Sequence, residues 1–161
     1  MNASAPALSA VSARDSSASP KVPTTSSYKS INPNTGELLK SFETTDSAQL
    51  EKSLAAAESC FQTWKHKTYA ERAVILNKAA ALMHAHVDDF AKLATLDMGK
   101  RINEARGEVK FSADILAYYA EHAQAFLAPT TLHPRVGEAH MESSPIGVLL
   151  CIQPWNFPYY Q

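Results

Sequence analysis

From Asp46 to Pro129 apolar side chains recur at steps of three and four, the period of helices that bury one face. Asp46 opens the first helix, with Gln49 three residues on as its capping-box partner, and Leu50, Leu54, Ala57, Phe61 and Trp64 form the stripe. Trp64 and the polar run to Lys67 end it. Thr68 caps a second helix, with Glu71 at the reciprocal position. Ala73, Leu76, Ala80, Met83 and Val87 line it, and Ile75, Ala79 and Leu82 widen the apolar face, so burial between other elements is expected. Asp88 starts a shorter third helix through Phe90, Leu93, Ala94 and Leu96, which Gly99 closes. The fourth is the longest, carrying Ile102, Ala105, Val109, Ser112, Leu116, Tyr119, Ala123 and Phe126 before Pro129 stops it. It spans roughly 37 Å. Its small residues suit close packing on a sheet better than a coiled-coil seam.

Shorter periods flank the helices. Two extended segments between Tyr28 and Thr44 surround Asn32-Pro-Asn-Thr-Gly36, whose residues suit a tight turn. Residues 131–144 alternate loosely around Gly137-Glu138, which predicts a second hairpin. Ile146 to Ile152 is almost unbrokenly apolar, the pattern of a strand buried on both faces of a parallel sheet. Pro154 would end its ladder, having no N–H to donate. Trp155, Asn156 and Phe157 then sit between Pro154 and Pro158 in a stiff loop. In open α/β sheets ligands bind just beyond the carboxyl ends of the strands, where this loop would lie. Residues 1–27 are Ser, Ala, Pro and Thr with three charges, and a disordered tail is expected there. They lack the apolar core of a secretory signal and the Arg-rich amphipathic pattern of an organelle-targeting peptide.

With 45% hydrophobic and 19% charged residues, the 161-residue chain is long enough for one domain with a sizeable core. Its net charge of −1 argues against a nucleic-acid or anionic-membrane surface, and no apolar run reaches membrane-spanning length. Cys60 and Cys151 lack any paired spacing and are expected to be buried free thiols of a cytoplasmic protein, neither acting as nucleophile. His84 and His86 point to different faces of their helix, and His66, His122, His133 and His140 have no partners at ligand spacing, so no metal site is expected. No Gly-x-Ser-x-Gly elbow occurs.

The stretch Gly147-Val-Leu-Leu-Cys-Ile-Gln-Pro-Trp-Asn-Phe-Pro158 closely resembles the signature of the NAD(P)-dependent aldehyde dehydrogenases. With Tyr159-Tyr160-Gln161 it is most similar to the succinate-semialdehyde dehydrogenase branch. The Asn-Pro…Thr-Gly turn, Asp97-Met-Gly-Lys-Arg-Ile-Asn-Glu-Ala-Arg-Gly-Glu-Val109 and Ala117-Tyr-Tyr-Ala120 extend the likeness from about Ile31 to Gln161. The resemblance implies an α/β fold: helices plus the first strands of a Rossmann-like parallel sheet, with residues 131–144 as an oligomerisation hairpin of a homodimer or homotetramer. It implies oxidation of an aldehyde, succinate semialdehyde or a similar aliphatic one, by NAD or NADP through a cysteine thioester. Asn156 would then be the oxyanion donor. Ile152, Gln153, Pro154, Trp155 and Asn156 would line the cofactor groove, and Gly107, Phe111 and Phe157 the substrate tunnel. The family's catalytic cysteine, general-base glutamate, ribose-gripping lysine and glycine-rich turn have no counterpart here, so the chain is expected to be a truncated, N-terminal part, inactive alone. The competing reading is a non-catalytic helical interaction module derived from the same fold. A carboxylate-bearing substrate would call for an Arg clamp, and Arg101, Arg106 and Lys110 lie near the relevant helix.

Overall fold

The computed structural model describes residues 28–161; the tail read into residues 1–27 lies outside them. Two strands, β1 (Tyr28–Ile31) and β2 (Leu38–Phe42), pair antiparallel and precede four helices. These are α1 (Ser47–Trp64), α2 (Tyr69–Ala85), α3 (Val87–Met98) and α4 (Ile102–Phe126). A second antiparallel hairpin follows, β3 (Thr130–Leu132) with β4 (Ala139–Met141).

The helix starts are set locally. Asp46 accepts from the Gln49 amide at 2.7 Å while Gln49 reaches back to the Asp46 amide, and Thr68 and Glu71 repeat the exchange at α2. Glu71 also pairs with Lys67 at 2.9 Å. The Lys67 ammonium and then the Thr68 donors hold its carboxyl down at about 2. The third helix begins at Val87 with His86 as its cap, so Asp88 and Asp89 occupy its first turn instead of opening it. Carboxylates there still complement the helix dipole. Gly99 ends α3 in the left-handed conformation (φ 74°). A β-carbon there would meet Pro33 Cγ at 3.1 Å, so the β1–β2 turn presses on the end of α3. That turn is closed by Gly36 N–H to Asn32 O at 2.8 Å, and the buried Asn32 side chain accepts from the Asn34 amide.

The long fourth helix is the spine, packing against both α2 and α3. Close approach is possible because the buried positions are small: Ala91 and Ala94 on α3, and Ala105, Ser112, Ala113 and Ala120 on α4, with Val109 among them. Arg106 bonds Asp88 at 2.6 Å across α4 and α3, and His84 bonds Asp114 at 3.0 Å across α2 and α4.

Several expectations of burial fail for want of a neighbour. Helix α2 buries only Ala80, leaving Val74, Ile75 and Leu82 exposed, because α4 covers one side of it alone. Helix α1 buries no residue. The run from Ile146 to Ile152 forms no strand: Ile146 and Leu150 are 88% exposed and Ile152 83%. A parallel strand needs a partner ladder, and among the described residues both sheets are two-stranded antiparallel hairpins. Gly147 moreover adopts φ 121°, a backbone angle outside the strand region. With that strand unpaired, Cys151 is exposed, as is Cys60 on α1, against the expected burial of both thiols.

Candidate active site

The Trp155–Tyr160 segment is a pair of turns laid against α3 and α4. Its anchor begins at Gly99, whose reversal of the chain hands Lys100 to the start of α4. The Lys100 ammonium bonds the Glu108 carboxylate, donates to the Asn156 carbonyl at 2.9 Å and lies over the Phe157 ring, 4.0 Å from its centroid. The other oxygen of Glu108 accepts from the Tyr159 amide at 2.8 Å and the Tyr160 amide at 3.3 Å. Both charged side chains are buried, Lys100 9% and Glu108 2% exposed. The ammonium and both carboxylate oxygens are therefore engaged, which offsets the cost of burying them.

Aromatic rings complete the seat. Tyr159 packs on the Ala91, Ala94 and Ala105 cluster, donates its hydroxyl to Phe90 O at 2.7 Å, and meets the Phe90 ring edge-on. Burial, then the negative charges of Glu108 and Asp97, push its phenol pKa upward. Tyr160 stacks on Phe111 at 5.4 Å and meets Phe157 edge-on at 6.3 Å. Phe111 lies one helical turn beyond Gly107, so two of the three residues assigned to a tunnel, Phe111 and Phe157, converge on Tyr160. No heavy atom would meet a β-carbon at Gly107 within 4 Å, so open space lies over that position.

Ile152, Gln153 and Pro154 run exposed along the unpaired segment. Trp155, 74% exposed, borders a cleft of about 610 Å³ between β1–β2, α3 and the loop, walled by Leu39, Phe42, Leu93 and Pro158. Ser30 bonds Asp97 at its rim. The Asn156 residue is exposed although its carbonyl is pinned. Arg106 and Arg101 are engaged by Asp88 and Glu104, while Lys110 is exposed. Among the described residues no three His, Cys, Asp or Glu side chains are grouped to hold a metal, and no helix is long and apolar enough to cross a membrane.

Sequence reasoning missed Lys100, Glu108 and Tyr159. One sign was there to read: Glu108 stands three residues after Ala105 and four before Ser112, a carboxylate on the apolar face of its helix.

A model of the aldehyde dehydrogenase family matches residues 21–161. The chain belongs to that family. Its similarity to an NADP(+)-dependent succinate-semialdehyde dehydrogenase of Deinococcus radiodurans is 42% identity over 134 residues, 83% of this chain and 28% of that protein. An aldehyde dehydrogenase of Paenarthrobacter nicotinovorans is 34% identical over 135 residues, 81% of this chain and 30% of its own length. The crystal structure of succinic semialdehyde dehydrogenase from Streptococcus pyogenes, in complex with NADP+, superposes with a TM-score of 0.80 at 37% identity. That match covers 83% of this chain and 30% of the other. The expected fold class stands: the chain has the fold of the N-terminal portion of an aldehyde dehydrogenase, and it spans about 28–30% of the length of the curated relatives it matches.

Proposed function

We propose that this chain forms the N-terminal part of an NAD(P)-dependent enzyme that oxidises succinate semialdehyde, or a similar aliphatic aldehyde, to the carboxylic acid. The carrying observation is the Pro154–Pro158 loop: its backbone is fixed by buried charges while Trp155 and Asn156 stay exposed. A neutral carboxamide held at a fixed place can donate to an oxygen that gains negative charge without itself changing protonation. Asn156 is accordingly the proposed oxyanion donor, with Phe157 and Phe111, and the open face at Gly107, as walls of the substrate path.

The fit to a dinucleotide divides in two. An exposed indole with the adjoining Ile152–Asn156 backbone suits the flat nicotinamide end, where the bound cofactor would supply a hydride acceptor. The pyrophosphate has no seat among the described residues. Each helix start already carries a carboxylate, Asp46, Glu71, Asp88 with Asp89, or Glu104, which repels phosphate. The nucleophilic cysteine is proposed to come from elsewhere in the enzyme, with neither Cys60 nor Cys151 in that role. The names of relatives favour NADP(+), and two free cysteines accord with a cytoplasmic setting. Exposed Leu132, Val136 and Met141 make the β3–β4 hairpin a fitting contact between copies in a homo-oligomer.

The test is spectrophotometric. A protein of the relatives' full length carrying this chain should form NADPH or NADH from succinate semialdehyde, while the 161-residue polypeptide alone should not. Absence of turnover with every aldehyde tried in the full-length protein would sink the reading and leave a non-catalytic interaction module in its place.

A further inference from the structure

We propose that Lys100 and Glu108 are positioning residues, whose buried ion pair sets where the Asn156 carboxamide stands when it meets the substrate. The inference rests on the oxyanion role proposed above, and it concerns residues that touch neither aldehyde nor cofactor. Lys100 holds the carbonyl of the very residue whose side chain must be aimed. Glu108 holds the next turn through the amides of Tyr159 and Tyr160. Fixing the backbone on both sides of Phe157 sets the point and direction from which the Asn156 side chain leaves the chain.

Elsewhere in the segment the backbone has little to hold it. It belongs to no helix or sheet, and its other backbone bond runs from Gln161 N–H to Phe157 O at 3.1 Å. Stability alone does not account for the arrangement. A buried ion pair is often matched or exceeded in stability by apolar side chains of similar size, so the account offered for this pair is what it orients. Here the pair has a directional output that Leu and Met cannot reproduce: one carbonyl and two amides drawn to one point. Misplacing a reacting group by about 1 Å can cost on the order of 100-fold in rate.

The decisive variant is the double replacement K100M/E108L in the full-length protein, which removes both charges together and strands neither. Its melting temperature should fall less than that of Glu108→Ala, because two amides and a carbonyl lose partners but no charge is stranded. Its kcat should fall about 10- to 100-fold with KM for the aldehyde little changed. Hydrogen exchange at the Tyr159 and Tyr160 amides should speed up. A folded double variant with kcat within about twofold of normal and those amides still slow overturns the proposal. Glu108→Gln, which keeps an acceptor and loses the charge, covers the case in which the double variant does not fold. It should lose part of the rate at unchanged KM, and full rate counts against the anchor. If the unaltered protein oxidises no aldehyde, the functional reading has failed by itself. Amide exchange then decides the anchor: faster in the variant supports it, equal refutes it.

Discussion

Two neighbouring stretches of this chain meet opposite fates. Ile146–Ile152 is the most apolar run in the sequence, yet its side chains lie open to solvent. Asn156–Tyr160, a few residues on, is mixed in character and is tied down by two charges and three backbone bonds. Hydrophobicity favours leaving water but names no destination, since it is non-directional. Hydrogen bonds to a buried carboxylate and ammonium do name one. In this molecule the loop carries its partners on α4 and at the α3–α4 junction, whereas the apolar run has no second strand beside it among the described residues.

The contrast can be broken most forcefully at its charged centre. Glu108→Ala leaves Lys100 buried and uncompensated and frees two amides, and should lower unfolding stability by about 3–5 kcal/mol, read by denaturant titration. Next comes the aimed residue itself. In the full-length enzyme Asn156→Ala should reduce kcat by about 10²–10³-fold, with kcat/KM falling alongside and melting temperature almost unchanged. Near-normal turnover in Asn156→Asp would remove this residue from the chemistry, because a carboxylate would repel the oxyanion.

Smaller effects map the supports. Gly99→Ala forces a left-handed angle on a residue with a β-carbon and presses it on Pro33, so a loss of about 1–2 kcal/mol is expected by thermal melting. Glu71 offers a pH test. Its folded-state pKa, about 2, lies below the ordinary 4.5, so its contribution is present above pH 4.5 and disappears as pH falls towards 2. The melting temperature of Glu71→Gln should therefore lie below that of the unaltered chain at pH 6 and converge on it near pH 2. Smallest of all, Leu150→Ser in the 161-residue polypeptide should change stability by no more than about 0.5 kcal/mol, as at other exposed sites. A cost of several kcal/mol there would show that the apolar run is buried after all.

What could be read from the sequence follows the same division. The caps at Asp46 and Thr68, the left-handed stop at Gly99 and the full span of α4 were legible because each depends on residues within one or two turns. Both hairpins were legible from their turns. The Pro-Trp-Asn-Phe-Pro motif is where the proposed site was read. Non-local partners were not legible. Nothing in the pattern around Lys100 points to Asn156, which lies in a different part of the chain. The wide apolar face of α2 and the run at Ile146–Ile152 announce a wish for cover without showing whether any segment supplies it.

The division of labour within Glu108 also works as a ruler. One of its oxygens faces Lys100, which holds residue 156, and the other faces the amides of residues 159 and 160. The number of residues between those points is thereby set by the width of a single carboxylate. One residue more or fewer between Asn156 and Tyr159 would offer the wrong groups to both ends, whereas the exposed stretch before Pro154 has no such gauge. Length variation within the loop should therefore be forbidden.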